Sequence, residues 1–503
     1  MEKLKKMFEE HNLVKFVSIV LLALVIGSWF IPSGTFSGSE FIEGDYGRIG
    51  LVHIFYAFTF AIQNFSIQLG FLAMVGMFYG VVTKTDGYKK LINRLAKFGK
   101  GKEIIFALVI SLIVAALASL LNNTMILFVF MPFLVTLLRK MGFGKMNAFA
   151  TTFGSMLVGI LGATYGTEGL IGFADYLGYG GSEVTLTTEI LIRGGVLLLS
   201  YILFNFFNVL SLKNSLENKK KNAEEDNDDA FKLDDVKSKR AKIWPTAVLM
   251  IVLFIFAILG FMSWNMTSTG VETFGIEIFD KFHNWLMTDE WFILNINDTE
   301  YPIFDILFGA SLPNMSYELA PAFGSWYLFT YSTVLAFVTL LIAIFSKMKF
   351  SELLTNAWDG LSKFVKPMLF LLFAYVAFVF LYWTPIIPTI TYWISKISGG
   401  LFNPFVTAIQ AFVGGFFNSD FAYLGYTLNG YLGSFAGTEG NLVYLIYSTI
   451  YGLVQFVTPL SFYLLFGLAY MDVKYTDWIK YVWKFFVGML ICLLVIFALL
   501  TYL

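Results

Sequence analysis

The chain has 503 residues, of which 57% are hydrophobic and 14% charged, and its mean hydropathy is +0.72. A soluble chain carries about a quarter charged residues, so a water-soluble globular fold is excluded. The net charge of −1 singles out no partner, no nucleic-acid role is expected, and the one cysteine, Cys492, excludes a disulfide framework or cysteine-based metal site.

Long apolar runs occupy 16–32, 66–82, 103–121, 147–162, 195–212, 245–262, 326–345, 367–383, 441–457 and 482–502. Several reach the roughly 20 residues that cross a hydrocarbon core as helix. The pattern predicts an all-α polytopic membrane protein whose partner is the lipid bilayer, because a β-barrel would show ~10-residue alternating strands. The first run follows lysines but lacks a small-x-small cleavage site, so it reads as an uncleaved span. All but four of the 34 Lys and Arg fall in 1–15, 84–102, 139–145, 213–243, 347–366 and 474–484; the exceptions are Arg48, Arg193, Lys281 and Lys396. By the positive-inside rule these six segments are internal. The expected location is the cell membrane, with the N-terminus cytoplasmic and the C-terminus external.

Two consecutive internal segments, 84–102 and 139–145, flank only about 36 residues, with "NNT" in their middle. Two full crossings would need about 40 residues and a turn. The economical solution is a re-entrant hairpin over 103–138 that turns at Asn122, Asn123 and Thr124. Irregular backbone at that depth requires surrounding protein or a water-filled cavity. A second hairpin is predicted at 401–436, turning at Asn418, Ser419 and Asp420 after Gly414–Gly415. Seven crossings precede it, so it opens to the outside, inverted relative to the first.

Each hairpin is followed by an interrupted helix. The first, 147–178, contains "GILGATYGTEGLIGF"; the second, 441–469, contains Pro459 between Thr458 and Ser461. Glycine and proline within spans free backbone groups that an ion or substrate can satisfy. Asn122 lies 42 residues before Thr164, and Asn418 lies 40 before Thr458. Paired interruptions in opposed halves predict an inverted-repeat transporter with a site at the membrane midplane. The halves are 1–212 and 244–503, joined by a charged cytoplasmic linker, 213–243. The external segment 264–320 is rich in Trp and Phe, which suggests packing on the membrane surface.

"WFIPSGTF" with "GDYGRIGL", the "NNT…FMPFLV" hairpin and "TPLSFYLLFGLAYMDVKYTDWIKYVWK" resemble the C4-dicarboxylate anaerobic carrier-like family of the ion transporter superfamily. That family includes a branch linked to basic amino acids. The resemblance covers nearly the whole chain. It implies secondary transport by an elevator movement of the hairpins and broken helices against the scaffold of a homodimer.

The candidate ligands are Asn122, Asn123, Thr124, Thr164, Thr167, Glu168, Asn418, Ser419, Asp420, Thr458 and Ser461. Asp420 is the strongest, because a carboxylate in the bilayer costs about 2.5–3.5 kcal/mol even on translocon scales; capping a hairpin arm is its alternative role. Asn122–Thr124 could likewise cap helices. The threonines and Ser461 offer hydroxyls that suit Na+. Gln455 and Asp175 are weaker candidates, Glu439 reads as a loop residue, and His53 and His283 read as interfacial. No nucleotide loop, H-E-x-x-H or nucleophile–base pair is present. The chain is therefore read as no enzyme and without a cofactor, with Na+ or H+ as the coupling ion. An ion channel is the alternative of another class. Asp420 and Glu168, with no Lys or Arg beside them, favour an amino acid as the small-molecule substrate, basic and arginine- or ornithine-like, with a C4-dicarboxylate as the alternative.

Overall fold

A computed structural model describes residues 12–44, 47–164, 173, 186–217, 233–236, 238, 241–262, 264, 278–288, 293–297, 299–302, 321–435 and 439–502. In chain order it begins with α1 (Asn12–Phe30) and a hairpin of β1 (Gly34–Ser37) and β2 (Glu40–Glu43), paired antiparallel with Gly34 opposite Glu43. Then come α2 (Leu51–Asn64), α3 (Ser66–Val82), α4 (Asp86–Phe98), α5 (Glu103–Leu120), a 3-10 stretch (Thr124–Val129) and α6 (Met131–Lys140). They are followed by α7 (Lys145–Phe149), a π turn (Ala150–Gly154), α8 (Ser155–Leu161) and α9 (Leu186–Glu217). The second half contains α10 (Trp244–Phe261), α11 (Ile278–Thr288), an antiparallel β3 (Ile293–Ile296) and β4 (Thr299–Pro302), α12 (Leu328–Phe345) and α13 (Phe350–Trp383). Last come α14 (Ile387–Ser395), α15 (Pro404–Phe417), α16 (Phe421–Thr427), α17 (Asn429–Gly433), α18 (Gly440–Val454), α19 (Phe462–Met471) and α20 (Tyr475–Tyr502).

Seven of the described helices are long and apolar enough to cross a membrane: α1, α5, α9, α10, α12, α13 and α20. The pair α2–α3 adds an eighth apolar segment, bent by 68° at Phe65. The protein is thus a mostly helical, multi-pass membrane protein. Its helices pack in two groups. In one, α3 and α13 lie along each other and against α1, α2 and α12, with α10 on α12. In the other, α5 packs on α8, α15 on α18, α8 on α18, and α9 and α20 close the outside. The groups meet mainly where α19 lies on α13.

Glycine sets both central crossings. A Cβ at Gly360 would stand 2.2 Å from the carbonyl oxygen of Gly76, so α3 and α13 touch backbone to backbone. A Cβ at Gly452 would stand 2.4 Å from Leu161 Cα, where α18 meets α8.

The first hairpin is deeper than its residue count suggests. Its outward arm, the 18 residues of α5, spans about 27 Å at 1.5 Å per residue. The return arm matches it, because six of its residues are 3-10 helix at about 2 Å each and ten are α-helix. The tip therefore reaches the far end of α10: the Asn122 N–H donates to the Phe261 carbonyl at 2.7 Å, and Leu121 bridges Met262. Two segments expected to be loop are ordered differently. Residues 350–366 form the first half of α13, since nothing before Pro367 interrupts a helix and that proline is tolerated inside it. The linker 213–243 begins as the last turn of α9, and its end docks on α4. Asp86 accepts from the Ser238 N–H at 2.8 Å, and Lys90 donates to the Ala241 carbonyl at 2.7 Å. Of the external segment, α11 packs by Phe279 against Trp264 and Phe323.

Candidate functional site

Polar residues make both hairpin turns. In the first, α5 ends at Leu120 and the chain turns extended through Leu121 and Asn123. Asn123 Oδ1 then accepts from the Met125 N–H at 3.1 Å and starts the 3-10 stretch. In the second, Asn403 caps α15 by accepting from Phe405 and Val406, with Pro404 at the first helical position. At its tip Asn418 Oδ1 accepts from the Asp420 N–H at 3.0 Å, and Asp420 Oδ1 accepts from the Tyr423 N–H at 3.0 Å. The capping roles weighed from the sequence are therefore real at Asn123 and Asp420, and Ser461 likewise caps α19 through the Leu464 N–H. Each cap uses one acceptor and leaves lone pairs for a second partner.

Both tips border one cavity of about 300 Å³. Asn122, Asn123, Thr124 and Met125 line it from the first tip, and Ser419, Asp420, Phe421 and Ala422 from the second. Ile160 and Ala163 approach from the end of α8, Ser448 and Tyr451 from α18, and Phe462 and Tyr463 from the start of α19. Phe65, Gln68 and Tyr375, from the α2–α3 bend and α13, complete it. The cavity thus lies between the two helix groups. Tyr375 is eight residues, about 12 Å, from the end of α13, and Gln68 is 14 residues, about 21 Å, from the end of α3 at the basic face. The cavity is accordingly nearer the face opposite the basic segments.

Among the described residues, three buried polar atoms of this wall have no hydrogen-bond partner: Asn122 Oδ1, Gln68 Oε1 and the Tyr375 hydroxyl. Leaving such a group unpaired costs about 1–3 kcal/mol. Asn122 Nδ2 donates to the Gly324 carbonyl at 3.1 Å, so the side-chain orientation that aims Oδ1 into the cavity is fixed by a bond on its other side.

Behind the tips, each half ties its broken helix to its hairpin by a threonine. Thr164 Oγ1 lies 2.8 Å from Ser119 Oγ, the Thr164 N–H donates to the Ser119 carbonyl at 3.1 Å, and Ser119 Oγ also reaches the Gly162 carbonyl at 2.9 Å. Correspondingly, Thr458 Oγ1 donates to the Phe416 carbonyl at 2.6 Å, and Gln455 Nε2 reaches the Gly415 carbonyl at 3.4 Å. Tyr451 clamps the second tip by donating to the Ser419 carbonyl at 2.5 Å.

Of the predicted ligands, Asn122, Asn123, Thr124, Ser419 and Asp420 therefore meet at the cavity. Asn418, Thr164, Thr458 and Ser461 stand behind it and hold its walls. Thr167, Glu168 and Asp175 lie outside the described residues. Sequence reasoning missed Gln68, Tyr375 and the bend at Phe65, whose ring stacks on Tyr375 with centroids 3.6 Å apart. The available signal was the polar cluster "IQNFSIQ" (62–68) in an otherwise apolar run. Arg193, one of the four basic residues outside the internal segments, is buried in α9 with its guanidinium 4.9 Å over the Tyr444 ring.

No curated protein sequence matches the chain. Among solved structures, the YdaH transporter of Alcanivorax borkumensis, described as having an unusual topology, is similar over 97% of each chain, at 12% identity and a TM-score of 0.40. The family profile described as DcuC, C4-dicarboxylate anaerobic carrier, matches residues 11–502. The chain belongs to the C4-dicarboxylate anaerobic carrier family, and is accordingly a secondary transporter and not an enzyme.

Proposed function

We propose that the protein carries C4-dicarboxylates across the cell membrane, by cation coupling or exchange, through the cavity between its two hairpin tips. The observation that carries this reading is the meeting of both tips at one cavity; the family supports the substrate class. The amino-acid preference drawn from the sequence rested on the lack of Lys and Arg at the tips, and none of the cavity-lining residues is Lys or Arg. A dianion in such a site needs cotransported cations to balance it, together with helix N-termini such as that of α19, whose first residue, Phe462, lines the cavity. Na+ suits the oxygen groups at Ser119–Thr164 and Phe416–Thr458, and Asp420 is the carboxylate among the described residues that line the cavity.

In this reading the two hairpins are inverted repeats, the N-terminus is cytoplasmic and the C-terminus external. The group built on α5, α8, α15 and α18 moves as an elevator against α3 and α13, in a homodimer. A second reading, an amino acid, keeps one specific support. Asn122 Oδ1, Gln68 Oε1 and the Asp420 carboxylate are all acceptors, the set that an ammonium group would use.

Uptake of labelled succinate and labelled arginine into proteoliposomes, with and without an inward Na+ gradient, separates these readings. Saturable, gradient-dependent succinate uptake is expected, with counterflow when unlabelled succinate is preloaded. Arginine uptake without succinate uptake would overturn the substrate, and non-saturable flux would overturn the carrier in favour of a channel.

A further inference from the structure

A second cavity, of about 970 Å³, lies on the basic face, where three segments assigned to the cytoplasm by their charge come together. It is lined by the first turns of α4, α10 and α13, by the docked end of the linker and by the end of α12. Three helices of 13, 18 and 34 residues thus begin at one cavity, each presenting N–H groups that have no partner within the helix. Two of these starts nearly touch: a Cβ at Gly87 would lie 2.6 Å from Thr246 Oγ1, so only glycine leaves that hydroxyl beside the start of α4.

The side chains repeat the sign of the helix ends. Lys84, Lys89, Lys242 and Lys347 line the cavity, with Asp86, Asp234 and Glu352 as its acids. The acids are committed elsewhere. Asp86 holds the Ser238 N–H, Glu352 accepts from the Lys349 N–H at 3.3 Å, and Asp234 faces Lys84 at 3.5 Å. Lys89 is the telling residue. It is 2% exposed, and among the described residues no hydrogen bond or ion pair reaches its ammonium group. Lys89 lines the cavity, which places its ammonium group to meet an anion there.

We infer that this cavity binds a phosphate-bearing anion, with Lys89 as its buried counter-charge and the starts of α4, α10 and α13 as its hydrogen-bond donors. Two sources offer that chemistry, a soluble phosphorylated metabolite and an anionic phospholipid headgroup. Trp244 and Phe345, both more than half exposed and with ring centroids 6.3 Å apart, flank the cavity as interfacial aromatic residues do. The bound anion would tie α4, which packs on the hairpin arm α6, to α10 in the other helix group. It would thereby restrain the movement of the hairpins.

The site is tested by binding, without reference to the transported substrate, so failure of the dicarboxylate reading leaves it standing. Thermal unfolding of the purified protein would be followed in three settings: with inorganic phosphate or pyrophosphate in detergent, in phosphatidylglycerol nanodiscs, and in phosphatidylcholine nanodiscs. The wild type should be stabilised by phosphate and pyrophosphate if the anion is soluble, or by phosphatidylglycerol over phosphatidylcholine if it is a headgroup. Lys89→Met should unfold at the same or a higher temperature than wild type without anion and lose the anion's stabilisation, reversing their order. Lys347→Gln, an exposed change that leaves the fold alone, should weaken binding about threefold, as loss of one exposed charge partner does. No stabilisation of the wild type in any setting, or equal stabilisation of Lys89→Met, would overturn the assignment.

Discussion

The two hairpin tips perform the same turn with different partners. The first is tethered across the molecule: Asn122 bonds through its N–H to the end of α10 and through its amide to the Gly324 carbonyl. The second is tethered to its own group, by Tyr451 on the Ser419 carbonyl and by Asp420 on the start of its return arm. Across to α13 its return arm makes a long hydrogen bond, from the Tyr423 hydroxyl to the Leu381 carbonyl at 3.4 Å, and ring contacts from Tyr423 to Phe378 and Tyr382. The first tip carries amides and no charge, and the second carries the carboxylate. The first tip is thus bonded across to α10 and Gly324, while the second brings a carboxylate to the shared cavity.

Asp420→Asn should have the largest effect. Asparagine caps a helix as well as aspartate does, so stability should change by only a few tenths of a kcal/mol. Losing a charge-assisted interaction of about 1.5–3 kcal/mol should lower succinate uptake or its cation dependence by roughly ten- to a hundredfold. An uptake assay beside a thermal melt checks both halves of that statement, and an unchanged rate would reduce the second tip to a cap. Next comes Asn122→Ala, which removes the tether and the unpartnered acceptor together. Stability should fall by about 1 kcal/mol, the net worth of one hydrogen bond, and the apparent substrate affinity should fall several-fold.

Smaller effects probe what the tips share. Thr164→Val and Thr458→Val each break one hairpin-to-broken-helix bond, and each should cost about 1 kcal/mol in denaturant unfolding. If the halves are equivalent, both should raise the Na+ concentration needed for half-maximal uptake; an effect from one alone would break the symmetry. The smallest expected effect is at Gln68→Leu. Its unpartnered Oε1 faces the cavity, so the variant should be as stable as wild type or slightly more so, with substrate affinity reduced by about threefold, less than one full hydrogen bond. Affinity unchanged in that variant would separate the scaffold wall from the site.

The hairpins were legible because two physical constraints act at once on short segments. Basic segments flank the first hairpin on both sides, and its short length points to a turn within the membrane. Polar triplets at Asn122–Thr124 and Asn418–Asp420 then mark the turns, since only polar side chains can satisfy backbone opened at that depth. The 3-10 stretch after Thr124 was not legible, because an apolar "MILFVF" reads as α-helix or strand equally well. Nor was the bend at Phe65, which lacks the Gly or Pro that announced the other breaks. Charge alone also could not tell the loop expected at 350–366 from a polar helical extension of α13. Ser119 reads in sequence as a small packing residue; only the fold brings Thr164 to it.

Shared occupancy of one cavity by both tips is tested most directly by ligand protection. In a Cys492→Ser background, single cysteines at Thr124 and at Ser419 would be labelled with a small thiol reagent in proteoliposomes, with and without succinate. A single site between the tips predicts that succinate slows labelling at both positions with the same half-effective concentration. Protection at one position only, or at neither while uptake of succinate persists, would contradict it.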